Sequence, residues 1–255
     1  MLWLAAWVFP ALAAEPLDRA LRHYRRAEYR QVIELLEPVK SRDAAAWELL
    51  GKAYYKEGDY KKASQCFEKA VAADPRNSAY HHWLGRAYGK RAETSSFLTA
   101  PGLARKAREQ FERAVELDPD NVEALNDLFE YYLQAPGFLG GGLEKAAALV
   151  ERIGRLDPAE RHYAEARLAE KRREFARAEQ QLRQALQLAP RQLGRIVDLA
   201  KFLARQRRFE ESEALLAQAE TIAPNSPRLK FERAAIYIET GRNLEEARRL
   251  LREYL

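Results

Sequence analysis

This chain of 255 residues is poor in the residues that do chemistry. It has one cysteine, Cys66, one methionine and four histidines. A lone cysteine excludes an intramolecular disulfide, and beside Phe67 in an amphipathic stretch it reads as a small buried residue rather than a reactive thiol. His23, His81, His82 and His162 are scattered through the sequence. Adjacent His81 and His82 would face different sides of a helix, and neither has a ligand-spaced cysteine, histidine or carboxylate. Glycine is scarce, and its one cluster, Gly140-Gly141-Gly142, follows no strand and precedes no Gly-Lys-Ser/Thr. That context excludes a phosphate-binding loop and leaves a flexible connection. No catalytic constellation, metal site or cofactor is expected, and the chain is not read as an enzyme.

Long hydrophobic runs are also missing. The one uncharged apolar stretch, MLWLAAWVFPALA, is shorter than the ~20 residues a membrane-spanning helix needs. No transmembrane anchor is expected. The stretch ends in Ala11-Leu12-Ala13, the small-x-small pattern that signal peptidase cleaves. Residues 1–13 are therefore expected to be a signal peptide, which would make the protein periplasmic or secreted. A retained segment, packed on the rest as a first helix, would make it cytoplasmic. Nor does one sign of charge dominate: 43 Lys and Arg stand against 38 Asp and Glu, a net charge of +5. The most basic stretch, from Arg161 to Arg208, is interleaved with Glu165, Glu170, Glu174 and Glu179. A solvated face explains it better than nucleic acid, which is not expected as a partner.

What the sequence has in abundance is a repeat. Trp47, Leu50 and Tyr54 recur at helical spacing, and so do Ala63, Phe67 and Ala70. Gly58-Asp59 supplies turn chemistry between the two stripes, and Asp74-Pro75 stops the second, because proline lacks an amide donor. Gly51 and Ala63 are small enough for the two backbones to approach closely. The result is a helical hairpin with Trp47 expected in its core.

Trp47, Leu50, Gly51, Tyr54, Ala63, Phe67, Ala70 and Pro75 match the pattern W-x2-L-G-x2-Y…A-x3-F…P, and the stretch resembles the tetratricopeptide repeat (TPR) family, whose period is about 34 residues. The resemblance extends through degenerate copies over the rest of the chain. It implies an all-α, right-handed α-solenoid of about seven hairpins, a single domain over 14–255. The repeats fall near 15–43, 44–77, 78–121, 122–158, 159–192, 193–226 and 227–255. Trp stands at its consensus place only in the second, and the signature glycine is replaced by Phe129, Ala166, Ala200 and Ala234 in later ones. Two repeats carry extra residues between their helices, RAETSSFLTAPGLA and QAPGFLGGGL, which read as long inter-helix loops.

In TPR proteins the first helices of successive repeats line a concave, peptide-binding face. The resemblance therefore implies a protein-interaction scaffold and places Glu48, Lys52, Tyr55, His82, Arg86, Lys90, Asn126, Glu130, Gln134, Tyr163, Arg167, Lys171, Lys201 and Arg205 on that face. Basic with aromatic breaks, it suits an acidic peptide segment of a partner protein. The apolar loop residues Phe97, Leu98, Leu103, Phe138 and Leu139 either cover helix ends or form a second, partner-binding ridge. Leu250, Leu251, Tyr254 and Leu255 would leave an uncapped C-terminal edge: either they are partly buried locally, or the edge contacts a partner or a second copy. The alternative function is a periplasmic small-molecule or transporter-associated binding protein, which a closed apolar cavity beneath the two loops would favour.

N-terminal sequencing of the mature protein checks export: a first residue of Ala14 is expected, and an intact Met1 would refute it.

Overall fold

The computed structural model describes residues 11–40 and 42–254, with side chains from Pro16 onward. Residues 1–10 of the signal-peptide expectation, and Leu255 of the C-terminal edge, lie outside the described residues. Among those described there are fourteen α-helices, one short 3-10 turn and no strand. The chain forms two compact units that meet in sequence at Gly142 and Leu143, inside the expected fourth repeat. The first holds α1 (Ala11–Arg25), α2 (Tyr29–Leu36), α3 (Ala44–Lys56), α4 (Tyr60–Ala73), α5 (Ser78–Thr94), α6 (Ala100–Leu117), α7 (Val122–Gln134) and the 3-10 turn Gly137–Leu139. The second holds α8 (Leu143–Leu156), α9 (Pro158–Lys171), α10 (Phe175–Leu188), α11 (Leu193–Arg205), α12 (Phe209–Ile222), α13 (Pro227–Thr240) and α14 (Leu244–Tyr254). Each unit is a stack of antiparallel hairpins of the α-solenoid type, with neighbouring hairpins packed on one another.

Local chemistry sets the helix boundaries. The Asp43 and Asp59 carboxylates accept from the amides of Ala46 and Lys62, and Asn77, Asn121, Asp157 and Ser226 cap the first helices of later repeats in the same way. The turn inside the second repeat needs a left-handed residue, supplied by Gly58 at φ +82°. Ala27, Arg173 and Arg207 occupy the same place, two residues before the next helix, at φ +60° to +63°. A side chain there costs roughly 1–2 kcal/mol.

The hairpin cores rest on a close approach. A methyl group on Gly51 would come within 2.8 Å of the Phe67 ring, and one on Gly85 within 2.7 Å of Phe111. Where Ala166 and Ala200 replace that glycine, the facing residues are Leu182 and Leu216, all four buried. Side-chain volume is thus exchanged across the hairpin, as a close-packed interior requires. Phe129, at the equivalent place on α7, is also buried.

Two expectations need correcting. Trp47 is half-buried rather than core, with the Arg42 guanidinium 4.2 Å and the Lys69 ammonium 4.1 Å from its ring centroid. The buried positions of α3 are Ala46, Leu49, Leu50, Gly51, Ala53 and Tyr54. The first insertion is not a long loop. It lengthens α5 to 17 residues and α6 to 18, against 13 and 14 in α3 and α4, and leaves a turn of only 95–99. Four residues are close to one helical turn, so both helices grow without rotating their buried faces out of phase. Pro101 sits in the first turn of α6, where its missing amide is no loss.

Neighbouring hairpins are also clasped. The phenol of Tyr54 donates to Glu37 (2.5 Å), Tyr88 to Glu68 (2.7 Å) and Tyr132 to Glu112 (2.8 Å), each reaching the second helix of the preceding repeat or, for Glu37, the residue that caps its C-terminus. Burial, then the bond to Glu37, pushes the Tyr54 hydroxyl up to about 12. Burial and the same kind of bond raise Tyr88 and Tyr132.

Gly51→Ala should destabilise the protein by about 1–3 kcal/mol through overpacking. Adding Phe67→Leu should recover most of that loss, since Ala with Leu is the pairing of the fifth and sixth repeats. Denaturant titrations of the two single variants and the double variant check the coupling, and simple additivity would contradict the volume exchange.

Candidate functional site

In the first unit the inner faces of α3, α5 and α7 enclose an open groove of about 320 Å3. It is lined by Tyr55 from α3, by Arg86, Gly89, Lys90 and Glu93 from α5, by Phe111 from α6, and by Asp127, Glu130, Tyr131 and Gln134 from α7. Five of the residues that the sequence places on the concave face, Tyr55, Arg86, Lys90, Glu130 and Gln134, are brought together here. An aromatic floor runs beneath them. Tyr55 meets Trp83 edge-on at 5.5 Å, Trp83 stacks on Phe67 at 5.8 Å, and the Arg86 guanidinium lies 4.6 Å from the Trp83 ring centroid and 5.4 Å from that of Tyr55.

The cations of this face have carboxylate neighbours. Lys52 Nζ is 2.6 Å from Glu48, Arg86 is 3.5 Å from Asp127, and Lys90 is 2.6 Å from Glu93. His82 is buried rather than presented to the groove; its Nε2 lies 2.7 Å from Asp127. Asp127 thus bridges a buried imidazole and the groove guanidinium. The sequence reading missed it, because its partners lie on another repeat, far away along the chain. Asn126 is half-buried on α7.

The first helices of the second unit carry a denser network. Arg195, 7% exposed, bonds Glu160 and, at 3.1 Å, Asp198, and stands 4.7 Å from the Tyr163 ring centroid. Arg167 donates to the Tyr163 hydroxyl (2.9 Å), Glu170 receives Arg205 at 2.5 Å, and Lys201 pairs with Glu232. Lys171 is exposed. Burial raises the Glu160 carboxyl and pushes that of Asp198 up to about 6, against the pull of Arg195, Lys201 and Arg167.

The loop residues divide. Phe97, Leu98 and Phe138 are 83%, 77% and 74% exposed, whereas Leu103 and Leu139 are half-buried. The glycine-rich connection is held rather than flexible. The Leu139 carbonyl accepts from the Tyr131 hydroxyl (2.9 Å) and Arg108 (3.2 Å), and the Gly142 amide donates to the Tyr132 carbonyl (2.8 Å). Gly140, at φ +88°, leaves no room for a side chain beside the Arg108 guanidinium. At the C-terminal end, Leu250 belongs to a core with Ala234, Tyr237 and Ala247 instead of the open edge, and Leu251 packs against that core. Tyr254 is exposed and packs on Phe231 at 5.3 Å, and Ile238 and Leu244 are exposed as well. Cys66 is buried, and burial pushes its thiol up to about 11. Among the described residues no group of three or more His, Cys, Asp or Glu could hold a metal ion, and no helix is long and apolar enough to cross a membrane.

Stacked hairpins with a small-against-large seam and an inner groove define an α-solenoid repeat protein. Residues 44–77 and 168–230 match two family models, both described as tetratricopeptide repeat. Solved structures share the fold. A TPR protein from Parabacteroides merdae aligns with TM-score 0.62 and 15% identity, over 95% of this chain and 98% of that one. A thermophilic TPR protein from Thermus thermophilus gives 0.60 and 22%, over 75% and 98%. YrrB, described as a TPR protein with an unusual peptide-binding site, gives 0.51 and 22%, over 70% and 87%. In sequence, RNA polymerase II-associated protein 3 of Mus musculus is 32% identical over 35% of this chain. The match spans only 17% of that relative's length. TPR proteins generally mediate protein–protein interaction and are generally non-enzymatic.

Between about pH 4 and 6 the folded protein holds a proton on Asp198 that the unfolded chain has released. Stability contributed at this site is therefore fully present below about pH 4 and lost as the pH rises through about 6. From about pH 4 to 7 the wild type should lose stability relative to Asp198→Asn by on the order of 2 kcal/mol. Denaturation midpoints across that range check it, and parallel curves would contradict it.

Proposed function

We propose that the protein is a non-enzymatic adaptor that holds a peptide segment of a partner protein in the groove between α3, α5 and α7. The observation that carries this is the open, preformed groove with Tyr55 and Tyr131 as flat apolar contacts and Arg86 stacked on its aromatic floor. Stacking fixes the guanidinium without consuming its in-plane donors, so Arg86 can exchange one carboxylate for another. A partner carboxylate would compete with Asp127 for Arg86 and with Glu93 for Lys90. The ligand of this reading is thus an acidic peptide segment, recognised by exchange of ion-pair partners. YrrB's description as a TPR protein with a peptide-binding site is in keeping with this proposal. The small-molecule alternative is not favoured: the glycine-rich connection closes on Arg108 and Tyr131 by its own hydrogen bonds.

Crosslinked co-purification from the native cell, read by mass spectrometry, identifies the partner. Against that partner Arg86→Glu should weaken binding by roughly tenfold to a hundredfold, the worth of a hydrogen bond to a charged group. Asp127→Ala, which frees Arg86, should strengthen it. Unchanged retention of the Arg86→Glu variant would remove the groove from the mechanism.

A further inference from the structure

The α5–α6 hairpin carries about one extra turn on each helix relative to α3–α4. At about 1.5 Å per residue, this lengthens it by about 6 Å. Its turn holds Phe97 and Leu98, the two most exposed large apolar side chains among the described residues. Apolar side chains placed in water on a turn serve neither core nor helix ends, and such exposure marks an interaction surface.

The charge pattern around the tip indicates what it meets. From Thr94 through Arg108 there is no Asp or Glu, while Arg105, Lys106 and Arg108 follow the turn. Glu93, just before it, is held by Lys90 at 2.6 Å. Glu109 and Glu112 come later on α6, and Glu112 pairs with Arg108. The second connection, from Tyr131 to Leu143, carries no charged residue at all. It packs on α6 through Arg108 and presents Phe138 to solvent. Arg105 and Lys106 are exposed and lie beyond the first turn of α6, about 7–9 Å behind the tip along the helix. An apolar segment that enters a bilayer interface sinks about 5–10 Å, to the boundary of headgroups and acyl chains. With Phe97 and Leu98 at that depth, Arg105 and Lys106 stand level with the lipid phosphates, and Phe138 lies near Arg108 where interfacial aromatics are favoured.

We infer that the α5–α6 tip is a peripheral membrane contact: Phe97 and Leu98 insert into the surface of a bilayer containing anionic lipid while Arg105 and Lys106 meet its phosphates. The contact anchors the adaptor at a membrane surface without spanning it.

The test is sedimentation of the full chain with vesicles of phosphatidylcholine alone and of phosphatidylcholine mixed with phosphatidylglycerol, at low and high salt. The wild type should bind the mixed vesicles more strongly than the neutral ones and lose that preference in high salt. Phe97→Ser with Leu98→Ser should weaken binding about tenfold or more, since each side chain leaves an apolar phase for water. Arg105→Glu with Lys106→Glu should abolish the preference for the mixed vesicles. All these chains share the same apolar N-terminus, so a difference between them reports the tip. Both apolar positions are exposed, so the denaturation midpoint should be unchanged and a folding defect is detected separately. Equal binding by the Phe97/Leu98 variant, or no binding by the wild type, would overturn the inference. So would lipid-free self-association that the same substitutions remove, or a protein partner that they release while vesicle binding stays unchanged.

Discussion

Four hairpins of this chain close with a small residue on the first helix against a large one on the second. Gly51 under Phe67 and Gly85 under Phe111 leave less than a methyl group of spare room. Ala166 with Leu182 and Ala200 with Leu216 fill comparable space with the volume moved from one helix to the other. The seam sets how closely the two backbones approach, and that distance sets how the next hairpin can pack. Every face that a ligand could meet is laid out by this spacing. The tyrosine-to-glutamate clasps between hairpins then hold successive first helices side by side. Tyr54 and Tyr88 are buried and Tyr132 half-buried, so each clasp also satisfies a polar group that would otherwise be costly to desolvate.

The seam explains why the fold could be read from residues alone. Glycine, alanine and phenylalanine at fixed offsets, a left-handed turn at Gly58 and an Asp-Pro stop are local signals, and each states its geometry within one repeat. Trp47 shows the limit of that reading. Its place in the pattern suggested core, yet the ring is half-buried, with Arg42 4.2 Å and Lys69 4.1 Å from its centroid. Long cationic side chains can shield an aromatic ring as well as apolar ones do, and no periodicity distinguishes the two. The first insertion misled for a different reason. Serine, threonine, proline and glycine read as loop chemistry, but Pro101 at the start of a helix and about one added turn on each side are equally compatible with longer helices. Length in whole turns decided between them.

The groove was half legible. Tyr55, Arg86 and Lys90 could be placed on one face by repeat register, but their electrostatic state could not. Asp127 reaches His82 and Arg86 from another repeat, and Arg195 gathers Glu160 from a helix 35 residues away. Pairs of that kind depend on the stacking of hairpins, which composition and spacing do not specify. The result changes the meaning of the net charge: a face rich in arginine and lysine has most of its cations already opposed by carboxylates. Attraction of an acidic ligand from a distance is weak under such compensation, and selectivity shifts to short-range exchange at a stacked guanidinium.

The insertions show how a repeat protein adds a surface without disturbing its stack. Growth in the α5–α6 hairpin is confined to its turn end, beyond Tyr88 on α5 and before Glu112 on α6. Tyr88 on α5 still reaches Glu68 on α4, and Glu112 on α6 still receives Tyr132 from α7, so the two lengthened helices keep their clasps to both neighbours. A fraction of a turn would have rotated Gly85 away from Phe111 and opened the seam. Close to one turn on each helix leaves the seam intact and carries new side chains outward. The glycine-rich connection after α7 follows the same logic by another route: hydrogen bonds from Tyr131 and Arg108 fold it back on α6, so that it presents Phe138 from a fixed backbone. The residues that depart from the period are therefore the ones least constrained by the core, and the solenoid leaves their chemistry free to differ from that of the groove.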